Sequence, residues 1–198
     1  MAASNVEIVN LALSKVGSAT IADWNEATKE GRTATAVFTN VREWLQERYP
    51  WNFCLTRVSL TFSNATGTNY SNEYTYYSAL TNLSNMLRVY EVDNNPLVSY
   101  AIENDNFYTS TTPLVIRYIK KITDPPLFPP AFTNCFAVAL AMEIAPILTG
   151  DWNTRVALKN ELKMEIQQAY LLNAIEGRTR IGKGAQSLDL AEATWQNP

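Results

Sequence analysis

The sequence predicts an α+β protein: an antiparallel-type helical bundle of four helices, split between residues 1–50 and 129–177, with a β-rich domain inserted at 51–128 and an extended C-terminal arm at 178–198. Three observations carry this expectation. Segments at both ends repeat their apolar residues at helical spacing between capping signals. The middle changes character: residues 52–118 hold eight of the ten tyrosines but only eight charged residues, with Asn and Thr between them, which is strand-and-turn chemistry. A proline-rich stretch, Asp124 to Pro130, then returns the chain to helix.

The first helix is expected over Asn5–Val16. Ser4 and Glu7 stand as a capping box, Gly17 supplies the stop, and Val6, Val9, Leu13 and Val16 share a face. The second is expected from about Glu26 to Arg48, with Ala34, Val37, Phe38, Val41 and Leu45 inward. Tyr49-Pro50 closes it, because the residue before a proline avoids the α region. In the strands that follow, Phe53 and Leu55 share one parity and Val58, Leu60 and Phe62 the other. Such a strand either buries both faces or bulges, here near Thr56-Arg57. Residues 63–73 read as a polar loop. Leu87–Val92 and Leu97–Ile102 flank Asp93-Asn94-Asn95-Pro96, which predicts a hairpin, and Leu114, Ile116, Tyr118 and Ile122 alternate along a last strand. Pro130 suits the first position of a third helix, Ala131 to Leu148, that buries Phe132, Phe136, Ala139, Leu140, Ile144 and Ile147. Pro146 should kink or end its last turn. Asp151 is the expected N-cap of a fourth helix, which turns Leu158, Leu162, Ile166, Ala169 and Leu172 to one side and stops at Gly177.

Composition narrows the function. The 198 residues, 46% of them hydrophobic, suffice for a core without staples, and 18% charged residues lie below the usual share of about 25%. There is no histidine, which removes the Ser-His-Asp and Cys-His systems and the commonest zinc ligand. Seven glycines leave little for phosphate-cradling loops. A formal charge of −3 and no Lys/Arg run longer than two speak against a surface that grips nucleic acid. No signal peptide is expected from Met1–Asn5, and the longest apolar run, Cys135–Met142, is too short for a bilayer. Cys54 and Cys135 are read as reduced core residues, and the sequons at Asn64, Asn69 and Asn82 carry no weight without secretion. No metal or cofactor is expected, and no enzyme activity.

Several constellations invite a functional reading. Residues 177–184 (GRTRIGKG) approach a phosphate-binding loop, but Gly184 stands where Ser or Thr must reach magnesium, and a helix precedes the stretch instead of a strand. Glu103 with Asp105, and Glu91 with Asp93, are carboxylate pairs of the kind a glycosidase uses; both fall in turns, where solvated carboxylates are the norm. Glu103 to Asn106 offers oxygens for calcium without the spaced loop of a calcium site. Tyr74, Tyr76 and Tyr77 could form a glycan platform or pack a sheet face. The arm keeps Ile181, Leu188, Leu190 and Trp195 without any period of its own, which points to burial by a partner chain.

Five ordered segments carry a family resemblance. They are Ile8–Gly17 (IVNLALSKVG); Glu26 through Arg42 and Leu45 to Tyr49-Pro50-Trp51-Asn52-Phe53; Tyr74 and Tyr77 followed by Leu87-Arg88-Val89; Arg117-Tyr118-Ile119 with Thr123-Asp124; and Phe132, Leu140-Ala141, Glu143, Ala145 and Leu148-Thr149-Gly150. Over residues 5–176 this pattern resembles the head-to-tail adaptor (tail tubular protein A) family of short-tailed bacteriophages. Leu80-Thr81-Asn82 departs from the family where a proline is usual, and Cys54 stands where alanine is common. The resemblance implies a structural virion protein: a dodecameric ring joining the portal protein to the tail nozzle, forming part of the DNA ejection channel. It implies docking of the arm on the portal, passage of DNA without specific binding, synthesis in the host cytoplasm, and no membrane partner. Twelve copies of a −3 chain carry a formal charge of −36, which repels DNA on average. The alternative reading is a carbohydrate-binding module of a phage tail that uses the Tyr/Asn-rich β region.

Overall fold

A computed structural model describes residues 4–66, 72–92 and 98–178 and shows a mixed α+β fold of four helices and two antiparallel sheets. The helices are α1 (Asn5–Val16), α2 (Lys29–Arg48), α3 (Pro130–Thr149) and α4 (Trp152–Arg178). The strands are β1 (Leu55–Ser59), β2 (Ser63–Asn64), β3 (Tyr76–Ala79), β4 (Met86–Val92), β5 (Tyr100–Glu103), β6 (Asn106–Thr109) and β7 (Val115–Lys120).

Local capping chemistry sets the helix ends. The Ser4 hydroxyl accepts from the Glu7 amide at 3.1 Å while the Glu7 carboxylate accepts from the Ser4 amide at 2.7 Å, and Gly17 ends α1 at φ 76°. The face buried by α1 is Ile8, Val9, Ala12 and Leu13, with Val6 and Val16 at its margins. Helix α2 starts three residues later than the sequence suggests, because Thr28 caps it by accepting from the Gly31 amide. Gly31 sits so close to the preceding loop that a Cβ there would lie 2.5 Å from the Glu26 carbonyl oxygen. Pro130 opens α3 as expected. Pro146 does not end it: the helix runs to Thr149 and closes on Gly150, whose amide donates to the Pro146 carbonyl.

Helix α3 is the hub. It packs against α1, α2 and α4 and buries eleven of its residues, from Phe132 to Ala145. By length and composition it could cross a bilayer, but its burial is that of a core helix. Two inward assignments are corrected. Ile147 is 53% exposed and Leu172 of α4 is 56% exposed, because the buried stripe of α4 is Leu158, Leu162 and Ala169. Helix α4 also continues through Gly177 to Arg178. A chain of aromatic rings runs from Trp24 through Phe38 and Phe136 to Phe132, which meets both Trp51 (5.1 Å between centroids) and Phe53 (4.9 Å) where the helices give way to the first sheet.

The sheets have the orders β1-β7-β4 and β2-β3-β6-β5. Strand β1 pairs with β7 in unbroken register from Leu55↔Ile119 to Ser59↔Val115, so the bulge considered at Thr56-Arg57 is absent; the register shifts lie in β4. The parity swap has the other cause. Leu55, Leu87 and Ile119 join the helical core on one face, while Val58, Val89 and Ile116 join a second cluster with Leu60, Leu80 and Phe107 that ties the two sheets together. Both faces of the first sheet are therefore buried. The hairpin expected between residues 87 and 102 does not form, because β4 and β5 belong to different sheets. The hairpin lies one turn later, β5 to β6, where Asn104 (φ 47°) and Asp105 (φ 58°) supply the two left-handed residues of a tight turn.

Candidate functional site

Among the described residues, chemistry-bearing side chains do not converge. Among the described residues no group of three or more Cys, Asp and Glu side chains is placed to hold a metal ion. Glu103 and Asp105 are exposed in their hairpin turn, and Glu91 is engaged by Arg117 at 2.6 Å. Asp93 lies outside the described residues. Cys54 and Cys135 are free and buried, and burial pushes both thiols up to about 12, far from any nucleophilic role. Tyr74, Tyr76 and Tyr77 are half-buried, and the Tyr77 ring packs 6.1 Å from that of Tyr108, the arrangement of a sheet face. The loop-like stretch 177–184 begins at the end of α4, with its remainder outside the described residues, as are the arm residues Ile181, Leu188, Leu190 and Trp195.

Among the described residues the helices do present apolar surface, and two stretches of it stand out. The first is a groove of about 330 Å³ between α2 and α3, floored by Val37, Val41, Ala139 and Met142 and edged by Trp44 and Glu143. It follows from local sequence: Val37, Asn40, Val41 and Trp44 fall at i, i+3, i+4 and i+7, one step round from the Ala34-Phe38-Leu45 stripe, and the small Ala139 opposite leaves room. The Arg48 guanidinium lies 5.7 Å from the Trp44 ring and holds it at the rim. Glu143 pairs with Arg155 at 3.2 Å, and Glu43, outside the groove lining, lies 3.4 Å from Arg42 and 3.3 Å from Lys121, just past β7.

The second surface is the outer side of α4. Met164, Leu171 and Ile175, at i, i+7 and i+11, line the side away from the core, and Leu171 is 65% exposed. Val156 and Trp152 extend the apolar surface toward the helix start, with the Arg155 guanidinium 5.2 Å from the Trp152 ring. An ordinary surface helix turns polar residues outward. Sequence reading assigned one stripe to this helix and missed the other; the signal was a 27-residue segment with apolar residues on two sides.

Three amide side chains, unmarked by any motif, fix the junctions around these surfaces. Asn10 bonds both the amide and the carbonyl of Ile21 (2.8 and 2.9 Å), and Gln46 does the same for Ile122 (3.1 and 2.8 Å). Asn173 of α4 accepts from the Asn52 amide at 2.8 Å and donates to the Pro50 carbonyl at 3.1 Å, while its own carbonyl accepts from the Asn52 side chain. At the start of α4, the Asp151 carboxylate accepts from the Asn153 and Thr154 amides and the Thr154 hydroxyl. These bonds, the hydroxyl's first, hold its pKa below the usual carboxylate range.

Compared with known proteins, the chain matches no family model and no curated relative.

Proposed function

We propose that this chain is a structural virion protein, a head-to-tail adaptor whose copies form a dodecameric ring between the portal and the tail nozzle of a short-tailed phage. In this reading the four helices are an antiparallel bundle, 51–128 is a domain inserted between its second and third helices, and the residues after α4 are an arm. Ile181, Leu188, Leu190 and Trp195 of that arm dock on the portal. The protein is made in the host cytoplasm, resides in the virion neck and performs no bond-breaking chemistry. DNA passes through the ring without specific contact, which suits an acidic chain.

The observation that carries the reading is the ordered set of five resembling segments, from Ile8–Gly17 to Leu148-Thr149-Gly150. Two features add support. The described helices expose apolar surface at the α2–α3 groove and along α4, as a protein whose work is contact requires. The titratable groups that catalysis would need are dispersed or engaged elsewhere among the described residues. Electron microscopy of the protein mixed with the portal of its phage tests the reading. Rings seated on portal particles are the expected result; a chain that leaves portals bare overturns it. Removing residues 179–198 should leave the circular-dichroism melt unchanged and abolish docking, and undiminished docking would refute the role given to the arm.

A further inference from the structure

We infer that residues 187–191 of the chain's own C-terminal arm add as a strand to the open edge of β1, with Asp189 across from Arg57. The inference goes beyond the ring reading above and does not depend on it, because both sides of the contact belong to one chain. Leu188 and Leu190 are also residues given to the portal, so in that reading the arm is parked on β1 until a portal takes it.

Strand β1 ends the sheet order β1-β7-β4 and, among the described residues, is the longest edge strand held in unbroken register. At the other end β4 carries register shifts, and the second sheet ends in β2 and β5, of two and four residues. The Leu60 amide donates to the Leu114 carbonyl at 3.0 Å, which continues the register with β7 and assigns the even-numbered residues to that ladder. The N–H and C=O groups of Arg57 and Ser59 therefore face the open side, and both residues are exposed.

Charge selects what pairs there. Across the sheet Arg57 stands opposite Arg117, which stands opposite Glu91. Glu91 is taken by Arg117 at 2.6 Å. Arg57 belongs to none of the ion pairs among the described residues, and like charges directly opposite each other destabilise a sheet. A carboxylate on an added strand relieves this, whereas a strand without one meets an unscreened edge charge. Residues 184–198 hold Asp189 and Glu192 and no Lys or Arg, and of the two acids only Asp189 is flanked by leucines. Neighbouring residues of a strand point to opposite faces. With Asp189 across from Arg57, Leu188 and Leu190 thus fall on the face of Thr56 and Val58 whichever way the segment runs. Val58 already packs there against the second cluster, which the leucines extend.

The arm starts close enough to reach. Asn173 ties α4 to Pro50 and Asn52, just before β1, and α4 ends five residues later at Arg178. Arg57 is then no more than about 30 Å from the end of α4, and residues 179–189 extend to about 36 Å. Tethering of this kind raises the effective concentration to about millimolar, enough for a short strand to dock. Docking of one edge strand is local and frays below the global transition, so the melt of the chain does not report it.

Hydrogen exchange followed by NMR on the full chain tests the pairing at the Ser59 amide, with the Val58 amide, bonded to β7, as the control for an intact sheet. Arg57→Glu and Asp189→Lys, both at positions outside the core, should each speed exchange at Ser59 about tenfold relative to wild type and leave Val58 unchanged. The double variant, with the two charges exchanged, should restore the protection. A wild-type Ser59 amide that exchanges at the rate of an unstructured peptide overturns the inference, as do single variants without effect or a double variant no slower than the singles. Protection that fades on dilution would put the arm of a second copy on β1, which also overturns it. Protected Ser59 in a chain that leaves portals bare would support the pairing and sink the adaptor reading alone.

Discussion

The Gln46 side chain offers a sharp test of how the helices are tied to the first sheet. It is fully buried, and its amide spans the backbone of Ile122, just past β7, donating to the carbonyl at 2.8 Å and accepting from the amide at 3.1 Å. Gln46→Leu keeps the volume and apolar packing but strands both backbone groups. An unsatisfied buried group costs about 1–3 kcal/mol, and the half-buried position of Ile122 places each group toward the lower end. Two groups, less a small gain from the added methyl contacts, give a loss of about 2 kcal/mol, or a fall in Tm of roughly 4–8 °C for a chain of this size. Urea titration and thermal melts by circular dichroism read the loss, and hydrogen exchange at the Ile122 amide reports its cause. Gln46→Glu sharpens the test. Burial raises the folded-state pKa of the introduced carboxyl above its unfolded value of about 4.3, so its neutral form, which can donate and accept as Gln46 does, prevails below that pH. Stability relative to wild type should therefore be nearly restored at low pH and lost as pH rises toward the folded-state value. A Gln46→Leu melt within a degree of wild type, with Ile122 still protected, would refute the reasoning.

Three further outcomes follow from the packing. Gly31→Ala should destabilise by roughly 1–3 kcal/mol in chemical denaturation, because its Cβ meets the Glu26 carbonyl oxygen at 2.5 Å; an unchanged midpoint would mean that the loop before α2 shifts freely. Cys54 and Cys135, with thiols pushed up to about 12, should resist alkylation at neutral pH until urea unfolds the chain, and rapid labelling of the native protein would contradict their burial. Asp151→Ala should lower Tm at neutral pH by removing the cap of α4. Because the folded-state pKa of Asp151 is depressed, the wild-type advantage should be complete above the unfolded value of about 3.9 and shrink as pH falls below it; an advantage independent of pH would rule the carboxylate out as its source.

Signals that act within a few residues were legible in the sequence. The Ser4–Glu7 capping box, Gly17, Pro130 and Asp151 all set helix ends where local chemistry requires them. Strand pairing was not legible, because β1 and β7 meet across some sixty residues and alternation is ambiguous when both faces of a sheet are buried. Asp93-Asn94-Asn95-Pro96 looked like a hairpin turn, yet turn composition says only that the chain bends, not which strands it joins; the same residue types at Asn104-Asp105 make the actual hairpin. The α2–α3 groove and the exposed apolar side of α4 escaped notice for a related reason. Helical spacing marks which residues could be buried, and on α4 there were two such sets; only tertiary packing decides that Leu158 and Leu162 turn inward while Leu171 stays in solvent.

The central place of β7 and α3 has a consequence for how the chain is made. Both sheet partners of β7, β1 and β4, leave the ribosome before it, and both α1 and α2 precede α3. Throughout synthesis of the first hundred residues or so, two strands lack their shared partner and two amphipathic helices lack their hub. Such intermediates carry open strand edges and uncovered apolar faces, the features that draw nascent chains into aggregation. Productive folding must therefore be largely post-translational, beginning once Val115–Thr149 is free of the exit tunnel. The core and the α2–α3 groove, one wall of which is α3, are thus acquired at nearly the same moment, so the groove exists only once the chain itself has folded.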